Sequence, residues 1–414
     1  MTQSPTPKPL ARVVILVENL PVPFDRRVWM EARTLHAAGY EVNVICPTGK
    51  GYDEGFERID GIYVYRYRLP IEASGFAGYL FEYPVALISS FALSLRIAFA
   101  RGIDVIHACN PPDLLFLVAA PFKLFGKRFI FDHHDLCPEL LDSKYDKPRP
   151  FLRWLMVAFE RMTFAMSNVS IATNESYKHV AVARGKMKPE RVFVVRSGPR
   201  KAWIAPAANA SSTEKLVGYV GVMGAQEGLD LLLEAAARLV FEKKRTDIHF
   251  VLIGDGSARK DLEAQAAAMN LAEYVRFTGR VSDDELKDLL GRSTVLVNPD
   301  RPSELNDKST MNKIVEYMAM AKPIVQFECT EGRFSAQDAS LYAKAGDIGD
   351  FAEKIEQLLD DPKLAAEMGA RGRKRFENDL CWEHQEPKLL AAYATALGRE
   401  AAPAPSALAS STTA

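Results

Sequence analysis

A short apolar run, Thr294-Val295-Leu296-Val297, stops at Asn298-Pro299; a helical pattern then runs to about Ala321, and Ile324-Val325-Gln326-Phe327 resumes the apolar character. Two buried strands joined by a helix of this length imply a parallel pair with a right-handed crossover. Ser309 and Thr310 are the predicted N-cap residues, and Lys322-Pro323 ends the helix because a proline ring cannot continue it. The start of such a helix offers unpaired N–H groups that favour an anion. Lys313 falls in the first turn, and Glu316, three residues on, shares its face. One helix thus offers a cradle for a diphosphate and a carboxylate suited to the two vicinal hydroxyls of a ribose. The plain alternative is an ordinary αβ unit with a solvated Lys–Glu pair.

The same alternation fills the chain. Apolar runs at 12–17, 40–46, 62–68, 104–108, 128–131, 169–173 and 192–196 read as strands, with helices at 28–39, 75–100, 114–125 and 147–166. Gly198, Pro199, Pro206 and a run of small residues mark a boundary. Beyond it, strands at 216–220, 249–253 and 275–277 alternate with helices at 229–241 and 283–290, and helices at 350–359, 362–376 and 382–397 close the chain. The prediction is two doubly wound α/β domains, 12–200 and 213–376, joined by a linker at 201–212. Residues 377–400 form a final helical segment, and 1–11 and 401–414 are disordered.

Charge divides unevenly. Residues 1–210 hold 27 basic and 20 acidic side chains, the remainder 25 and 33. A basic first half suits an anionic partner, such as a membrane surface or a phosphate-bearing acceptor, unless the excess is simply scattered over solvated faces. Nothing in the composition points to nucleic acid. Cys46, Cys109, Cys137, Cys329 and Cys381 show neither disulfide nor metal spacing and read as buried, reduced thiols of a cytoplasmic protein. The first apolar run, Val13–Val17, ends at Glu18, too short for a secretory signal. Pro84 to Ala100 is apolar but interrupted by Arg96, and reads as a core or interfacial helix rather than a membrane span.

Glu316-Tyr317-Met318-Ala319 followed by Lys322-Pro323-Ile324-Val325 resembles the donor-site signature of family 4 glycosyltransferases, Glu-x-Met-Ala-x-Gly-x-Pro-Val-Val. These are retaining enzymes of the GT-B fold, two Rossmann-like domains facing a central cleft. Lys308 stands where most of the family has a second Glu. Asn306-Asp307-Lys308-Ser309-Thr310-Met311-Asn312-Lys313 is similar instead to the bacterial polysaccharide-assembly branch, with Met311 in place of a common Pro.

The resemblance implies transfer of a sugar from a nucleoside-diphosphate sugar to a hydroxyl of a saccharide or polyprenyl-linked acceptor, with no cofactor and no metal. It implies a final helix that crosses back to the first domain near Trp382-Glu383. On the donor side it implies Gly221, Gly224, Gly254, Arg280, Val281, Ser309, Thr310, Asn312, Lys313 and Glu316. The glycines also have a purely structural reading as turn residues. Val222 and Glu227 occupy the positions where relatives place Arg and Lys on the diphosphate. That leaves the helix amides and Lys313 to supply the charge, with Arg26 or Arg27 as further candidates. On the acceptor side the candidates are Asp25, Arg26, Arg27, His107, Asn110 and His134. His133 competes with His134, Asp135 is placed to orient either ring, and a strand-end His lining a core is the plain alternative. His133 and His134 beside two Asp also suggest a metal, but no third ligand cluster is legible. The aromatic and basic stretches 63–83 and 147–161 suit peripheral contact with a bilayer, or plain core packing. A nucleotide-sugar 2-epimerase of the same fold and a non-catalytic sugar-binding protein are the alternative functions.

Overall fold

The computed structural model describes residues 8–69, 75–144, 148–203 and 215–399. Of the segments read as disordered, residues 1–7 and 401–414 lie outside them, as do 204–212 of the linker; residues 8–11 are described and correct that reading, since Leu10 N donates to Gly39 O at 2.9 Å and Ala11 is buried. The chain divides into two compact units, Met1–Arg196 with Gln385–Ala414, and Ser197–His384.

The first unit is built on β1 (Arg12–Leu16), β2 (Glu41–Pro47), β3 (Phe56–Ile59), β4 (Ile62–Tyr67), β5 (Val105–Cys109), β6 (Arg128–His133), β7 (Val169–Ala172) and β8 (Val192–Val194), in the order β3-β4-β2-β1-β5-β6-β7-β8. Every pairing is parallel except β3 with β4. β1 is central because Val13 to Leu16 are buried on both faces, which only a covered parallel sheet allows. The strand order reverses between β1 and β5, so their carboxyl ends open a crevice of the kind that receives ligands. Around the sheet run α1 (Arg26–Ala37), α2 (Gly75–Ala100), α3 (Phe116–Leu124), α4 (Cys137–Lys144), α5 (Pro150–Met166) and α6 (Glu175–Ala183). The β3–β4 hairpin turns at Asp60 and Gly61, both at positive φ, as the primed two-residue turn requires.

The core reading of the apolar stretch near residue 90 is corrected. Ala86, Ser90, Ser94 and Ile97 of α2 are buried, but only 22% of Glu82–Ala100 is, although the stretch is long and apolar enough to cross a membrane.

The second unit holds β9 (Lys215–Val220), β10 (Ile248–Ile253), β11 (Val275–Gly279), β12 (Val295–Asn298), β13 (Ile324–Phe327) and β14 (Ser340–Ala343), all parallel, in the order β11-β10-β9-β12-β13-β14. Its helices are α7 (Leu229–Ala237), α8 (Arg259–Ala268), α9 (Asp283–Arg292), α10 (Glu304–Lys308), α11 (Asn312–Ala319), α12 (Thr330–Ala336), α13 (Ile348–Asp360) and α14 (Pro362–Arg375). Alternate residues of β10 serve opposite cores: Phe250 and Leu252 pack with Leu232, Leu233 and Ile355, while Val251 and Ile253 pack with Leu290, Ile314 and Phe376. Residues 382–397 are not one helix. A short turn at Trp382–His384 precedes α15 (Glu386–Leu397), which packs on β6, β7, β8 and α1 of the first unit.

Candidate active site

In the second unit, α11 stands at the carboxyl end of β12, and its start differs from the sequence reading. Ser303 rather than Ser309 or Thr310 is the capping residue, and it caps α10, its side chain accepting from Asn306 N at 3.1 Å. The Ser309 hydroxyl donates back to Leu305 O (2.7 Å), the chain then extends, and Met311 is the N-cap residue of α11 without giving a side-chain cap bond. The amino end of α11 therefore keeps the character that favours an anion. Tyr317 fixes the helix from below, accepting from Val220 N (3.0 Å) and donating to Val297 O (3.2 Å).

Lys313 does not project from this end. It is buried, its Nζ donating to Glu227 Oε2 at 2.6 Å and Asp300 Oδ1 at 2.9 Å, and it lies 4.9 Å from the centre of the Tyr219 ring. Against the cost of burial, Asp300 and then Tyr219 and Glu227 hold its pKa well above the usual lysine range. Burial pushes Asp300 up to about 6. Glu227, the residue that replaces a basic clamp, thus has a partner in Lys313, while Val222 is simply 61% exposed. Glu316 is half-buried one turn on, and Asn312 is exposed.

Lys308, which stands where most of the family has a Glu, and its neighbour Asp307 both have partners within the protein. Asp307 accepts from the backbone and hydroxyl of Thr330, and Lys308 pairs with Glu304. Sequence reasoning missed Arg301, whose Nε donates to Ala225 O of the glycine-rich loop (3.2 Å) and which also pairs with Asp230. Asn306 ties the same loop down through Gln226 O (3.1 Å).

The glycines meet protein. A Cβ on Gly254, at φ +130°, would lie 1.9 Å from Gly221 O, one on Gly221 2.6 Å from the Tyr219 hydroxyl, and one on Gly224 2.7 Å from Gln226 Oε1. The loops 221–224 and 254–258 are stitched by Gly221 N to Ile253 O and Met223 N to Asp255 O, both 3.0 Å. Close approach of backbone to backbone is the steric reason for glycine at 254. Arg280 is exposed and Val281 half-buried after β11.

In the first unit the carboxyl ends of β5 and β6 carry a polar cluster. His133 and His134 point opposite ways, as neighbours on a strand must. His133 is fully buried, ringed by Phe131, Phe164 and Tyr177, with Glu160 at 3.5 Å. His134 reaches the surface with 16% of its side chain exposed, and its Nε2 lies 2.5 Å from Asp132 Oδ2. Asp132, not Asp135, is therefore the carboxylate that orients it. The same Nε2 lies 3.0 Å from Arg27 Nε, so the ring is held between a carboxylate and a guanidinium.

The Arg27 guanidinium closes the other side of Asp132. It sits 2.9 Å from Asp132 Oδ1, 3.1 Å from Glu31 Oε1 and 2.8 Å from Val195 O. Burial opposes it, but Arg27 and then His134 hold Asp132 well below the carboxylate range, while burial and the facing Asp132 push Glu31 well above it.

Four acceptor-side candidates thus have internal duties. Arg27 is a buried counter-ion, and Asp25 is the N-cap of α1, accepting from Val28 N at 3.1 Å. His107 is fully buried, 2.7 Å from the Tyr393 hydroxyl of α15 and 3.4 Å from Asp132. Asn110 shapes the His134 loop, its Oδ1 accepting from His134 N (2.6 Å) and Asp135 N (3.1 Å). Arg26 is exposed at the first turn of α1. Ligand atoms of Glu31, Cys109, Asp132 and His134 lie within 4.8 Å of one another, a grouping not legible in the spacing, and the Arg27 guanidinium supplies positive charge to that cluster.

Residues 25–198 match the family model described as a glycosyl transferase 4-like domain, and 214–361 the one described as glycosyl transferases group 1. The chain is 32% identical over 155 residues to the alpha-D-kanosaminyltransferase of Streptomyces kanamyceticus, covering 37% of this chain and 38% of that protein. It spans less than half the length of the first curated relatives it matches. Among solved structures, sucrose-phosphate synthase from Thermosynechococcus elongatus superposes with a TM-score of 0.78 at 17% identity, over 94% of this chain and 99% of that one. Anabaena HepE in complex with UDP-glucose gives 0.70 at 14%, over 93% and 100%. A glycosyl transferase 4-like match on the first α/β sheet and a group 1 match on the second, with these structural neighbours, give the chain the two-domain GT-B fold and support a glycosyltransferase.

Proposed function

We propose that the chain transfers a hexosyl group from a nucleoside-diphosphate sugar to a hydroxyl of a saccharide or lipid-linked saccharide, with retention, in the assembly of a cell-surface polysaccharide. The observation that carries this reading is the start of α11, an amino end without a side-chain cap from Met311, above a neutralised lysine and one turn before Glu316. Glu316 binds the nucleotide ribose. Lys313 acts by offsetting the charge of Glu227 and Asp300, which lowers the repulsion a diphosphate would meet at the helix amides and Arg301. His134, held by Asp132, Arg27 and the Asn110 loop, orients the reacting sugar.

Retaining glycosidases pair a carboxylate nucleophile with a carboxylic acid. Glu31 and Asp132 are both deeply buried around Arg27, which favours a front-face substitution instead. The acceptor oxygen bonds to the anomeric carbon as the diphosphate oxygen leaves from the same side and takes the acceptor proton. On this reading no metal is required. A polyprenyl-linked acceptor would bring the reaction to the cytoplasmic face of a membrane.

Calorimetry of the full chain with nucleoside diphosphates tests the reading. Glu316→Gln should weaken the nucleotide it binds by about tenfold or more, the loss expected when a charged hydrogen bond is removed. Undiminished binding would remove Glu316 from the site. Release of an epimerised sugar from donor alone would favour the epimerase alternative.

A further inference from the structure

Three neighbouring helices of the first unit turn large apolar side chains outward. On α2 the residues against the sheet are small ones, Ala86, Ser90 and Ser94, joined by Ile97, whereas Ile88 is 70% and Phe99 89% exposed. A surface helix of a water-soluble domain shows the reverse order. The end of α3 exposes Leu124 (87%) and Phe125 (80%), and α5 exposes Trp154 (64%). α3 packs against both α2 and α5, and right-handed crossovers put all three on one side of the sheet. The apolar side chains therefore share a face larger than scattered exposure explains.

The charge on this face has one sign. α2, α3 and α5 contain two acidic residues, Glu82 and Glu160. Glu160 is buried against Arg184, and Glu82 is half-buried beside the buried Glu18. Arg96 on α2, Arg161 on α5 and Arg128 just past α3 are exposed. Apolar bulk set among arginines, with no exposed carboxylate on the three helices, complements an anionic bilayer. α2 lies on that surface rather than through it, because its small-residue seam is packed on β2 and β4.

We infer that the α2–α3–α5 face docks on anionic phospholipid, seating Phe99, Leu124, Phe125 and Trp154 at the acyl boundary. This stands apart from the transfer chemistry, since vesicle binding needs no donor site.

The test is co-sedimentation of the full chain with vesicles of phosphatidylcholine, alone or equimolar with phosphatidylglycerol. Binding should require the anionic lipid and weaken with salt, and brominated acyl chains should quench Trp154 fluorescence. The double variant Leu124→Glu, Phe125→Glu should lower the partition coefficient by about tenfold or more. Arg96→Glu and Arg161→Glu should each lower it by about fivefold. Circular dichroism and nucleotide calorimetry should be unchanged in all three, which separates failure of docking from failure of the donor site. Equal partition of wild type and double variant would overturn the inference. So would a dimer in sedimentation velocity that the double variant dissolves, because a second copy would then cover the face.

Discussion

Replacing Lys313 by Met separates a structural lysine from a donor-binding one. Its Nζ lies 2.6 Å from Glu227 and 2.9 Å from Asp300, with 9%, 17% and 6% of the three side chains exposed. At an effective dielectric near 20, each contact has a Coulomb energy of about 6 kcal/mol. Desolvation of the three groups cancels much of this, so deletion of one partner of a buried pair costs about 3–5 kcal/mol. Lys313→Met should therefore lower the hydrogen-exchange protection of the β12 and α11 amides by that amount. Adding Glu227→Gln and Asp300→Asn should restore most of it, since no uncompensated carboxylate then remains. Nucleotide affinity measured by calorimetry should fall in Lys313→Met and return substantially in the triple variant, because the lysine's proposed task is to cancel those carboxylates. Full nucleotide affinity in the single variant would refute this reasoning, as would a protection loss below about 1 kcal/mol, the level of a surface pair.

Two further outcomes are expected. Glu18 is 3% exposed, and burial, reinforced by Glu82, pushes its carboxyl up to about 8. The folded state then keeps a proton that the unfolded chain releases, so this stabilisation is complete at acid pH and lost as pH rises through about 8. Hydrogen exchange of β1 should show about 2–4 kcal/mol less protection at about pH 9 than at about pH 5, a slope that Glu18→Gln should flatten. Asp132→Asn should lower turnover by about a hundredfold through misplacement of His134, while nucleotide binding stays intact; weakened nucleotide binding would contradict a purely positioning role.

The repeating strand–helix units and the place of α11 at the end of β12 were legible because both depend on local pattern. What escaped depends on pairs far apart in the chain. Lys313 meets Glu227 across 86 residues and Arg27 meets Asp132 across 105, so neither burial could be read from spacing. The misplaced helix start has a local cause. Ser309 and Thr310 are competent caps by type, but the Ser309 hydroxyl is drawn back to Leu305 O, and Ser303, six residues earlier, caps the separate short helix α10. β3 was legible in principle, since Asp60-Gly61 is a strong hairpin signal. The α2 face was not, because apolar composition says nothing of which side meets the sheet.

The first unit is discontinuous in sequence, and α15 completes it. During synthesis the second unit can fold while the sheet of the first still lacks one of its covering layers. Tyr393 must arrive before His107, 286 residues upstream, finds its hydroxyl partner. A ribosome stalled anywhere in the second unit would hold a nascent sheet with β6, β7 and β8 bare on one side, a form for chaperones to shield. Shortening the chain before residue 386 should recreate that immature form in solution.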